Sequence, residues 1–321
     1  MKFWGVAMVR DEADIIEAFV RHNLTVLDGL AIFDHGSTDG TAEILAALAA
    51  EGLPVTTVTD STTDFRQSAV ISQLARQAFA THDPDFIFPL DADEFLKVPS
   101  RPQLEARLAT LPRRVHAVCT WQNYVPDFAP GLDTLTLLRS ARRAPAAPPP
   151  VTKAIVSRHF QHSPTVIAEG NHMVLYAGDD RAAAEARHRP LSPDACAIAH
   201  VPIRSAMQFS AKIAVGWLAC LVQPDRPERL CHHWSEVFAL LAAGRPLTPA
   251  MLTAIAASYG RVDPAAIEPV AVELTVDPFL ADFQNRHDEV GRTDSLALVL
   301  RYAERLARRI GGKAATGAPQ A

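Results

Sequence analysis

Two carboxylates one residue apart, Asp91 and Asp93, directly follow the apolar run Phe86–Leu90. The run predicts a buried strand, so the acidic pair lies at its carboxyl end, where open α/β sheets bind ligands. Carboxylate oxygens are hard ligands that suit Mg²⁺ or Mn²⁺, and such ions are commonly shared with the phosphates of a substrate. The spacing therefore predicts a divalent-metal site next to a phosphate-bearing molecule.

Polar residues also follow two other predicted strands. Residues 10–12 (Arg-Asp-Glu) come after the strand Lys2–Val9, and Asp34 with the turn 36–40 (Gly-Ser-Thr-Asp-Gly) comes after the strand Leu30–Phe33. Because parallel strands end at the same edge of a sheet, the three strand ends are expected to converge on one cleft. The glycines of the turn permit close backbone approach, although the turn lacks the GxxxxGK form of a phosphate loop.

This convergence predicts a site for a nucleoside diphosphate with a bound metal. Asp34 can accept hydrogen bonds from a base or a ribose, Asp91 can face the ribose, and Asp93 can bind a metal that bridges two phosphates. Asp39 is a candidate N-cap for the helix that follows the turn.

Regular elements must position these residues, and strand-like and helical patterns alternate over the first third of the chain. Apolar spacing predicts helices at 11–27, 41–50 and 65–81, between strands at 2–9, 30–33, 54–58 and 86–90. Strands separated by helices imply parallel pairing. The expected fold class is therefore α/β, with a doubly wound, mostly parallel sheet.

Later parts of the chain are less regular. The Pro-rich stretch 139–150 predicts a surface loop without fixed structure, and 203–222 predicts a long helix. The amphipathic stretch 295–310 suits either a helix packed on the domain or contact with an anionic membrane surface. The expected division is a domain at 1–222 (a nucleotide-binding half at 1–98 and an acceptor half at 99–222), a helical extension at 223–311 and a disordered tail at 312–321.

Composition narrows the function classes. The chain has 321 residues, of which 48% are hydrophobic and 21% charged, as in an ordinary globular protein. A formal charge of −5 gives no support for a nucleic-acid partner. No apolar run approaches the roughly 20 residues of a membrane-spanning helix. Four scattered cysteines without a CxxC pair indicate reduced thiols and a cytoplasmic location.

Three segments resemble motifs of family 2 glycosyltransferases. Residues 9–17 (VRDEADIIE) resemble the opening motif, with Asp11 in place of the usual Asn, and residues 33–41 (FDHGSTDGT) are similar to the aspartate-containing turn. In that turn His35 stands where the family often has Asp or Asn, and residues 91–96 (DADEFL) resemble the DxD motif. The bacterial subgroup related to family 92 is the most similar, through looser matches at 65–67, 121–124, Lys153, 170–172, 200–205 and Lys212.

The resemblance implies a GT-A fold and transfer of a sugar from a nucleotide-diphosphate sugar, with Mn²⁺ or Mg²⁺, to a glycan, another surface polymer or a lipid-linked acceptor. A lipid-linked acceptor would be met at the inner face of the membrane. Residue by residue, the resemblance implies nucleotide contacts from Arg10, Glu12, Asp34, Gly36, Ser37, Gln67 and Asp91. It implies metal ligation by Asp91, Asp93 and His172, and contacts to diphosphate or acceptor from Lys153, His200, Arg204 and Lys212.

The same resemblance implies inversion at the anomeric carbon, which requires a base near the acceptor hydroxyl. The acidic pair that usually supplies this base has no match in the sequence, and three candidates stand in its place: Glu169, Asp127 and Glu94. Glu169 is favoured because it precedes His172 in a glycine-containing turn that can face the cleft.

Three other function classes can be compared with a glycosyltransferase. A nucleotidyltransferase shares an acidic metal site on an α/β sheet, but residues 6–14 lack the glycine-rich triphosphate loop expected of one. An aspartyl phosphatase is disfavoured because no hydroxyl residue closely follows Asp93. The missing acidic pair also fits a non-catalytic module that binds nucleotide or sugar without turning it over.

Overall fold

A mixed sheet forms the centre of the protein. The computed structural model describes residues 1–60, 66–129, 131–146, 151–223, 232–260, 271–287 and 294–316. Its strands are β1 (Phe3–Val9), β2 (Gly29–Asp34), β3 (Val55–Thr59), β4 (Phe86–Leu90), β5 (Glu94–Lys97), β6 (His116–Val125), β7 (Arg142–Arg143), β8 (Thr152–Ser157), β9 (Thr165–Ile167), β10 (Val174–Tyr176), β11 (His188–Pro190) and β12 (Ala197–His200).

Helices cover and connect the strands. They are α1 (Ile16–Asn23), α2 (Thr41–Ala50), α3 (Gln67–His82), α4 (Arg101–Ala109), α5 (Thr134–Ser140), α6 (Arg181–Ala186), α7 (Ala206–Leu221), α8 (His232–Ala242), α9 (Pro249–Ala257) and α10 (Ser295–Thr316). In the parts of the chain that are described, no helix is both long enough and apolar enough to cross a bilayer.

The strand order is β3-β2-β1-β4-β8-β6-β12-β5, with β7 and β11 also paired to β6. The first four strands are parallel, whereas β8 runs antiparallel to both β4 and β6. Strands β9 and β10 form a separate antiparallel pair. The predicted α/β class with a mostly parallel central sheet is therefore confirmed.

The parallel half is wound in two directions from β1. The chain passes from β1 to β2 and β3 on one side and then returns to β4 on the other side. Such a reversal opens a crevice at the carboxyl ends of the two strands that flank it. The strand ends after β1 and β4, which carry the predicted acidic residues, therefore border one crevice.

Gly29 leaves room for a neighbouring aromatic ring in this half of the sheet. A Cβ atom added at Gly29 in β2 would lie 2.1 Å from the ring of Trp4 in β1. Only a glycine therefore lets the indole lie flat against the neighbouring strand.

Helix α1 is shorter than the predicted helix over 11–27. Asp11 has a φ of 54°, and the backbone N–H groups of Asp11 and Ala13 donate to side chains of the turn after β2. The Glu12 N–H donates to the Thr41 hydroxyl at the start of α2. These bonds hold the segment out of the helix, which begins only at Ile16. The segment is thereby tied to the turn with which it was expected to share a cleft.

Several other sequence expectations need correction. Gly40 is the N-cap of α2, although Asp39 still accepts a hydrogen bond from the Thr41 amide. The stretch 139–150 is not a loop throughout, because its first residues close α5 and then form β7; residues 147–150 lie outside the described part. Helix α10 continues to Thr316, past the start of the expected tail, and residues 317–321 also lie outside the described part.

The cysteines differ from expectation too. Cys119 and Cys196 are free and buried, whereas Cys220 is disulfide-bonded. The expectation of reduced thiols is therefore confirmed for Cys119 and Cys196 and wrong for Cys220. Cysteine spacing alone does not show which thiols the fold brings together.

Residues 271–287 run back across the domain as an extended segment. Asp277 accepts hydrogen bonds from Lys97, Tyr124 and Arg143, at 2.6–2.9 Å. Phe279 packs against the rings of Tyr124 and Phe95. The segment thus joins the mixed half of the sheet to the side of α1.

Farther along this segment, His287 lies close to Glu17 of α1 and to Glu51, which follows α2. Each of the three side chains offers one potential metal-ligand atom, and these atoms lie within 4.8 Å of one another. Arg21 donates to both carboxylates, at 2.8 Å to Glu17 and 2.7 Å to Glu51. This cluster is therefore explained by ion pairing.

His22 is a buried link between β5 and this segment, and its titration predicts a loss of stability in acid. Its Nε2–H donates to the Leu96 carbonyl (2.9 Å), and its Nδ1 accepts from the Ala281 amide (3.1 Å). Burial lowers the pKa of His22 to about 4. Between pH 4 and about pH 6.5, His22 binds a proton in the unfolded chain but not in the folded one. The stabilisation from neutral His22 is therefore complete above pH 6.5 and falls as the pH drops toward 4.

We expect His22 to account for about 2 kcal/mol of lost stability between pH 7.5 and pH 5. Urea unfolding at the two pH values should show a smaller loss for His22→Gln than for the wild type. Replacing the exposed His162 by Gln serves as the control and should leave the loss unchanged. Equal losses in the wild type and His22→Gln would contradict the assignment.

Candidate functional site

A cavity of about 730 Å³ opens at the carboxyl ends of β1 and β4. Its walls come from the segments after these two strands, from the side of α7 and from the first turn of α10. The structure brings eleven predicted site residues to this cleft: Arg10, Glu12, Gln67, Asp91, Asp93, Lys153, Glu169, His172, His200, Arg204 and Lys212.

Asp34, Gly36 and Ser37 shape the edge of the cleft but are not among its lining residues. The Asp34 carboxylate accepts hydrogen bonds from the Ser37 amide (3.0 Å) and hydroxyl (2.5 Å). The Gly36 carbonyl accepts from Arg305 of α10 at 2.8 Å. These contacts organise the turn itself, and direct contact of the three residues with a nucleotide stays a prediction.

Asp91 is held by donors from three parts of the chain. Its Oδ1 accepts from Gln67 (2.8 Å) and Asn171 (3.2 Å), and its Oδ2 accepts from the Lys153 ammonium (2.7 Å). Lys153 also contacts the buried Glu94 at 2.6 Å. Burial raises the pKa of Glu94, while Lys153 opposes that shift. One ammonium therefore contacts two acidic side chains at the floor of the cleft.

Asp93 lies on the opposite side of the floor, against α7 and the end of β12. Its Oδ2 accepts from Lys212, and its Oδ1 lies 3.6 Å from Nε2 of His200. Burial would raise the pKa of Asp93, but the Lys212 ammonium outweighs it and holds the pKa well below its usual range. Asp93 is therefore a carboxylate anion despite being only 2% exposed.

The tautomer of His200 follows from its other neighbour. Asn123 donates its amide hydrogens to the carbonyls of Ala257 and Tyr259, both at 3.2 Å, so its oxygen faces Nδ1 of His200 at 2.9 Å. Nδ1 must then carry the hydrogen, and Nε2 presents a lone pair to Asp93 when the ring is neutral. Burial lowers the pKa of His200, which favours that neutral form.

A second buried ion pair lies beside the end of β1. Arg204 donates to Glu12 (2.5 Å) and to Asp14 (2.6 Å and 2.9 Å). Burial raises the pKa of Glu12, and Arg204 opposes the shift. No described group accepts from Nη1 of this guanidinium, which leaves a donor available beside the cleft.

The three base candidates lie in different places. Glu94 is fully buried beneath the floor, and Asp127 is exposed and not among the lining residues. Glu169 lines the cleft; its Oε1 accepts from the Ser68 amide (3.3 Å), and its Oε2 has no partner among the described residues. Burial raises the pKa of Glu169. Only Glu169 of the three thus combines a cleft position with an unused oxygen.

His172 and Trp121 form one wall. Nδ1 of His172 donates to the Thr152 carbonyl (2.8 Å), which leaves Nε2 as an acceptor. The centroid of the Trp121 ring lies 4.1 Å from the ring centroid of His200 and 6.2 Å from that of His172. Trp121 is therefore a neighbour of both imidazoles.

Sequence reasoning missed three contributors: Asn123, Asn171 and helix α10. The two asparagines lie within motifs that were noted, but only the fold shows that they orient His200 and Asp91. Helix α10 lies far along the chain, yet Arg301 donates to the Thr38 carbonyl (2.5 Å) and Tyr302 packs on the Arg10 guanidinium. No local pattern could reveal these contacts.

No family model and no curated protein matches the sequence. Among solved structures, it is similar to the mannosyltransferase PcManGT from Pyrobaculum calidifontis in complex with GDP-Man and Mn²⁺ (18% identity, 83% of this chain and 78% of that chain, TM-score 0.37). It is also similar to S. aureus TarS 1–349 (13% identity, 74% and 70%, TM-score 0.35). A third is glucosyl-3-phosphoglycerate synthase from Mycobacterium tuberculosis with Mn²⁺, UDP and glucosyl-3-phosphoglycerate (18% identity, 37% and 43%, TM-score 0.25).

All three TM-scores lie below 0.5. These similarities therefore assign no function to the cleft.

Gly170 is the position at which a single methyl group should displace a cleft residue. Its φ is 72°, and an added Cβ would lie 2.5 Å from Nε2 of His172. Gly178 has a similar φ of 86°, but nothing lies within 4 Å of its Cβ position. Alanine at either site should cost about 1–2 kcal/mol for the left-handed backbone, whereas only Gly170→Ala should move the imidazole.

Urea unfolding should measure similar losses of stability for the two variants. Proton–carbon NMR spectra of the histidine rings should then show a displaced His172 signal in Gly170→Ala and an unchanged one in Gly178→Ala. A His172→Gln variant assigns the signal. An unmoved His172 in Gly170→Ala would refute the expected clash.

Proposed function

We propose that this chain is a glycosyltransferase of the GT-A type that uses a nucleotide-diphosphate sugar and a divalent ion. The observation that carries the proposal is the buried pair of Asp93 and His200. A carboxylate oxygen and an imidazole lone pair repel each other unless a cation or a proton lies between them. Burial lowers the pKa of His200, although Asp93 opposes that shift, and we interpret the pair as the place where a cation would bind.

The residues around this pair fit such an ion. Carboxylate oxygen and neutral imidazole nitrogen are ligands for Mn²⁺, and the 3.6 Å between Oδ1 and Nε2 allows one ion to contact both. Asn123 holds the imidazole by its other nitrogen, as supporting residues of metal sites commonly do. When bound, the ion would supply positive charge to the leaving diphosphate.

The residues predicted to bind a metal would have different roles. Asp93 and His200 are the proposed ligands, whereas both oxygens of Asp91 are taken by Gln67, Asn171 and Lys153. Asp91 then serves mainly to orient Lys153 and the turn that carries His172. His172, with its free Nε2, is retained as a ligand of the ion or a donor-side contact.

The remaining charges suit a diphosphate. Lys153, Arg204 and Lys212 approach the cleft from different elements, and each is already fixed by a carboxylate. Fixed donors need little reorganisation when negative charge grows on a leaving group, which is how electrostatic stabilisation becomes effective. The nucleoside would lie toward Arg10 and Glu12 at the end of β1.

We assign the role of base to Glu169. A carboxylate with one unused oxygen can accept the proton of an acceptor hydroxyl. The hydroxyl oxygen would then form the bond to the anomeric carbon while the bond from that carbon to the diphosphate breaks and the nucleoside diphosphate leaves. Attack from the face opposite the diphosphate inverts the anomeric centre. The raised pKa of Glu169 brings its basicity closer to that useful near neutral pH. A glycan or lipid-linked acceptor would supply the hydroxyl.

Thermal shift with nucleoside diphosphates, each with and without Mn²⁺, tests the donor site. A ligand that binds the native state raises its stability, so one nucleotide should give a Mn²⁺-dependent rise. Asp93→Asn and His200→Gln should abolish the Mn²⁺ dependence, and Asn123→Ala should weaken Mn²⁺ binding about 10–100-fold. Asp194→Asn, at an exposed site, is the control.

If a nucleotide raised the unfolding temperature equally with and without Mn²⁺, the proposed metal ion would be refuted. If no nucleotide raised it, the proposed donor site would be refuted. Nucleotide binding without sugar transfer or donor hydrolysis would favour a non-catalytic module.

The base assignment predicts a contrast between two carboxylates. Glu169→Gln should lower kcat about 10²–10⁴-fold and leave donor binding intact, because the amide cannot accept the proton. Asp127→Asn should leave kcat unchanged. Single-turnover rates with the donor found above give the comparison, and NMR of the product shows whether the anomeric centre is inverted. A large loss in Asp127→Asn alone would transfer the role to Asp127.

A further inference from the structure

Helix α10 lies far along the chain but packs beside the cleft. Tyr302 and Leu306 are buried together with Val215 and Ala219 of α7 in one apolar cluster. Of the two roles expected for residues 295–310, packing on the domain is therefore the one that the structure shows.

The same helix fixes residues that follow β1 and β2. The Arg10 guanidinium lies 5.2 Å from the centre of the Tyr302 ring and donates a hydrogen bond to the Tyr302 hydroxyl. Nε of Arg10 also donates to the His35 carbonyl at 2.8 Å, and Arg305 donates to the Gly36 carbonyl at 2.8 Å. The orientation of Arg10 therefore depends on α10 as well as on its own strand.

One face of α10 continues from this contact into the cleft. Ser295 and Leu298 are among the lining residues, and at about 100° per residue they share an arc of about 60° with Tyr302. Because Leu298 lies about one turn before Tyr302, it borders the part of the cleft next to Arg10. Val215 packs with Tyr302 and lines the cleft too. The wall beside Arg10 is therefore largely apolar.

Asp11 adds a polar group at this end of the cleft. Its Oδ1 accepts from the Thr38 amide at 2.7 Å, whereas its Oδ2 is buried and has no partner among the described residues. A buried oxygen without a partner is costly, and a ligand that bonds it would remove that cost. An apolar wall beside a fixed donor and an unused oxygen suits a nucleobase, which has apolar faces and a hydrogen-bonding edge.

We propose that α10 forms the nucleobase side of the donor site, with Leu298 in contact with the base and Tyr302 as a positioning residue for Arg10. This role rests on the proposed function, since it requires a donor that carries a nucleoside. The diphosphate would meet the charged floor of the cleft, whereas the base would meet α10. Changes in α10 should therefore weaken binding of a nucleotide and not that of its phosphates alone.

Calorimetric titration of the full chain with UDP, GDP, CDP, ADP and inorganic pyrophosphate, each with Mn²⁺, tests the role of Leu298. The wild type should bind one nucleotide more tightly than pyrophosphate, roughly tenfold or more. Leu298→Ala should weaken binding of that nucleotide about 5–20-fold and leave pyrophosphate binding unchanged. Leu300→Ala makes the same change at a 60% exposed residue of α10 and should bind both ligands like the wild type.

The role of Tyr302 has its own variant. Tyr302→Phe keeps the ring but removes the hydroxyl bonded to Arg10, and it should weaken nucleotide binding about 3–10-fold without affecting pyrophosphate. Tyr124→Phe removes another buried hydroxyl, which donates to Asp277 at 2.9 Å away from the cleft, and serves as the control. Urea unfolding of each variant separates a loss of stability from a loss of binding.

The outcomes separate this role from the proposed function. Unchanged nucleotide binding in Leu298→Ala, or equal losses for nucleotide and pyrophosphate, would overturn the contact with the base. Equal binding by Tyr302→Phe and Tyr124→Phe would overturn the positioning role. A wild type that binds pyrophosphate as tightly as every nucleotide would overturn both roles of α10 and leave the diphosphate site standing. A wild type that binds neither ligand would overturn the proposed function together with this proposal.

Discussion

Charge compensation beneath the cleft is the constraint on which the rest of the structure depends. Asp93 and Glu94 follow β4 and are almost completely removed from water. An isolated buried carboxylate is strongly disfavoured, so each of these groups needs a cation at hydrogen-bond distance. Lys153 of β8 and Lys212 of α7 meet that need. The positions of β8 and α7 relative to the parallel half are therefore set by electrostatics as well as by packing.

The same arrangement prepares the cleft for an anionic ligand. A lysine that already bonds a carboxylate has lost most of its conformational freedom before any ligand arrives. Lys153 and Lys212 are such lysines, and both line the cavity. The side chains that permit burial of the acidic floor are thus also the ones that we propose to contact a diphosphate.

Local sequence patterns were sufficient for the parallel half and for the position of the cleft. The alternation of apolar runs predicted four strands and three helices, and the polar residues after Val9 and Leu90 indicated where the cavity opens. The start of α1 was mispredicted because the conformation of Asp11 depends on bonds to a turn 26 residues later. Distant contacts of this kind leave no periodic signal in the sequence.

The same limit applied to the site. Asp93 was predicted to be a metal ligand from its spacing, but the tautomer of His200 depends on Asn123, which lies 77 residues away in sequence. The turn after β2 was recognised as well, yet its contact with α10 spans 263 residues, between Thr38 and Arg301. Residue types in the sequence indicated which polar groups the cleft contains. The hydrogen-bond partners and tautomers of these groups could be assigned only from the three-dimensional structure.

The order in which the partners occur along the chain has a consequence for synthesis. Asp93 leaves the ribosome 119 residues before Lys212, and Glu12 leaves it 192 residues before Arg204. Until those cations emerge, a folded N-terminal half would have to bury uncompensated carboxylates. The parallel half is therefore expected to remain incompletely closed on the ribosome, and the protein becomes compact only after α7 has been made.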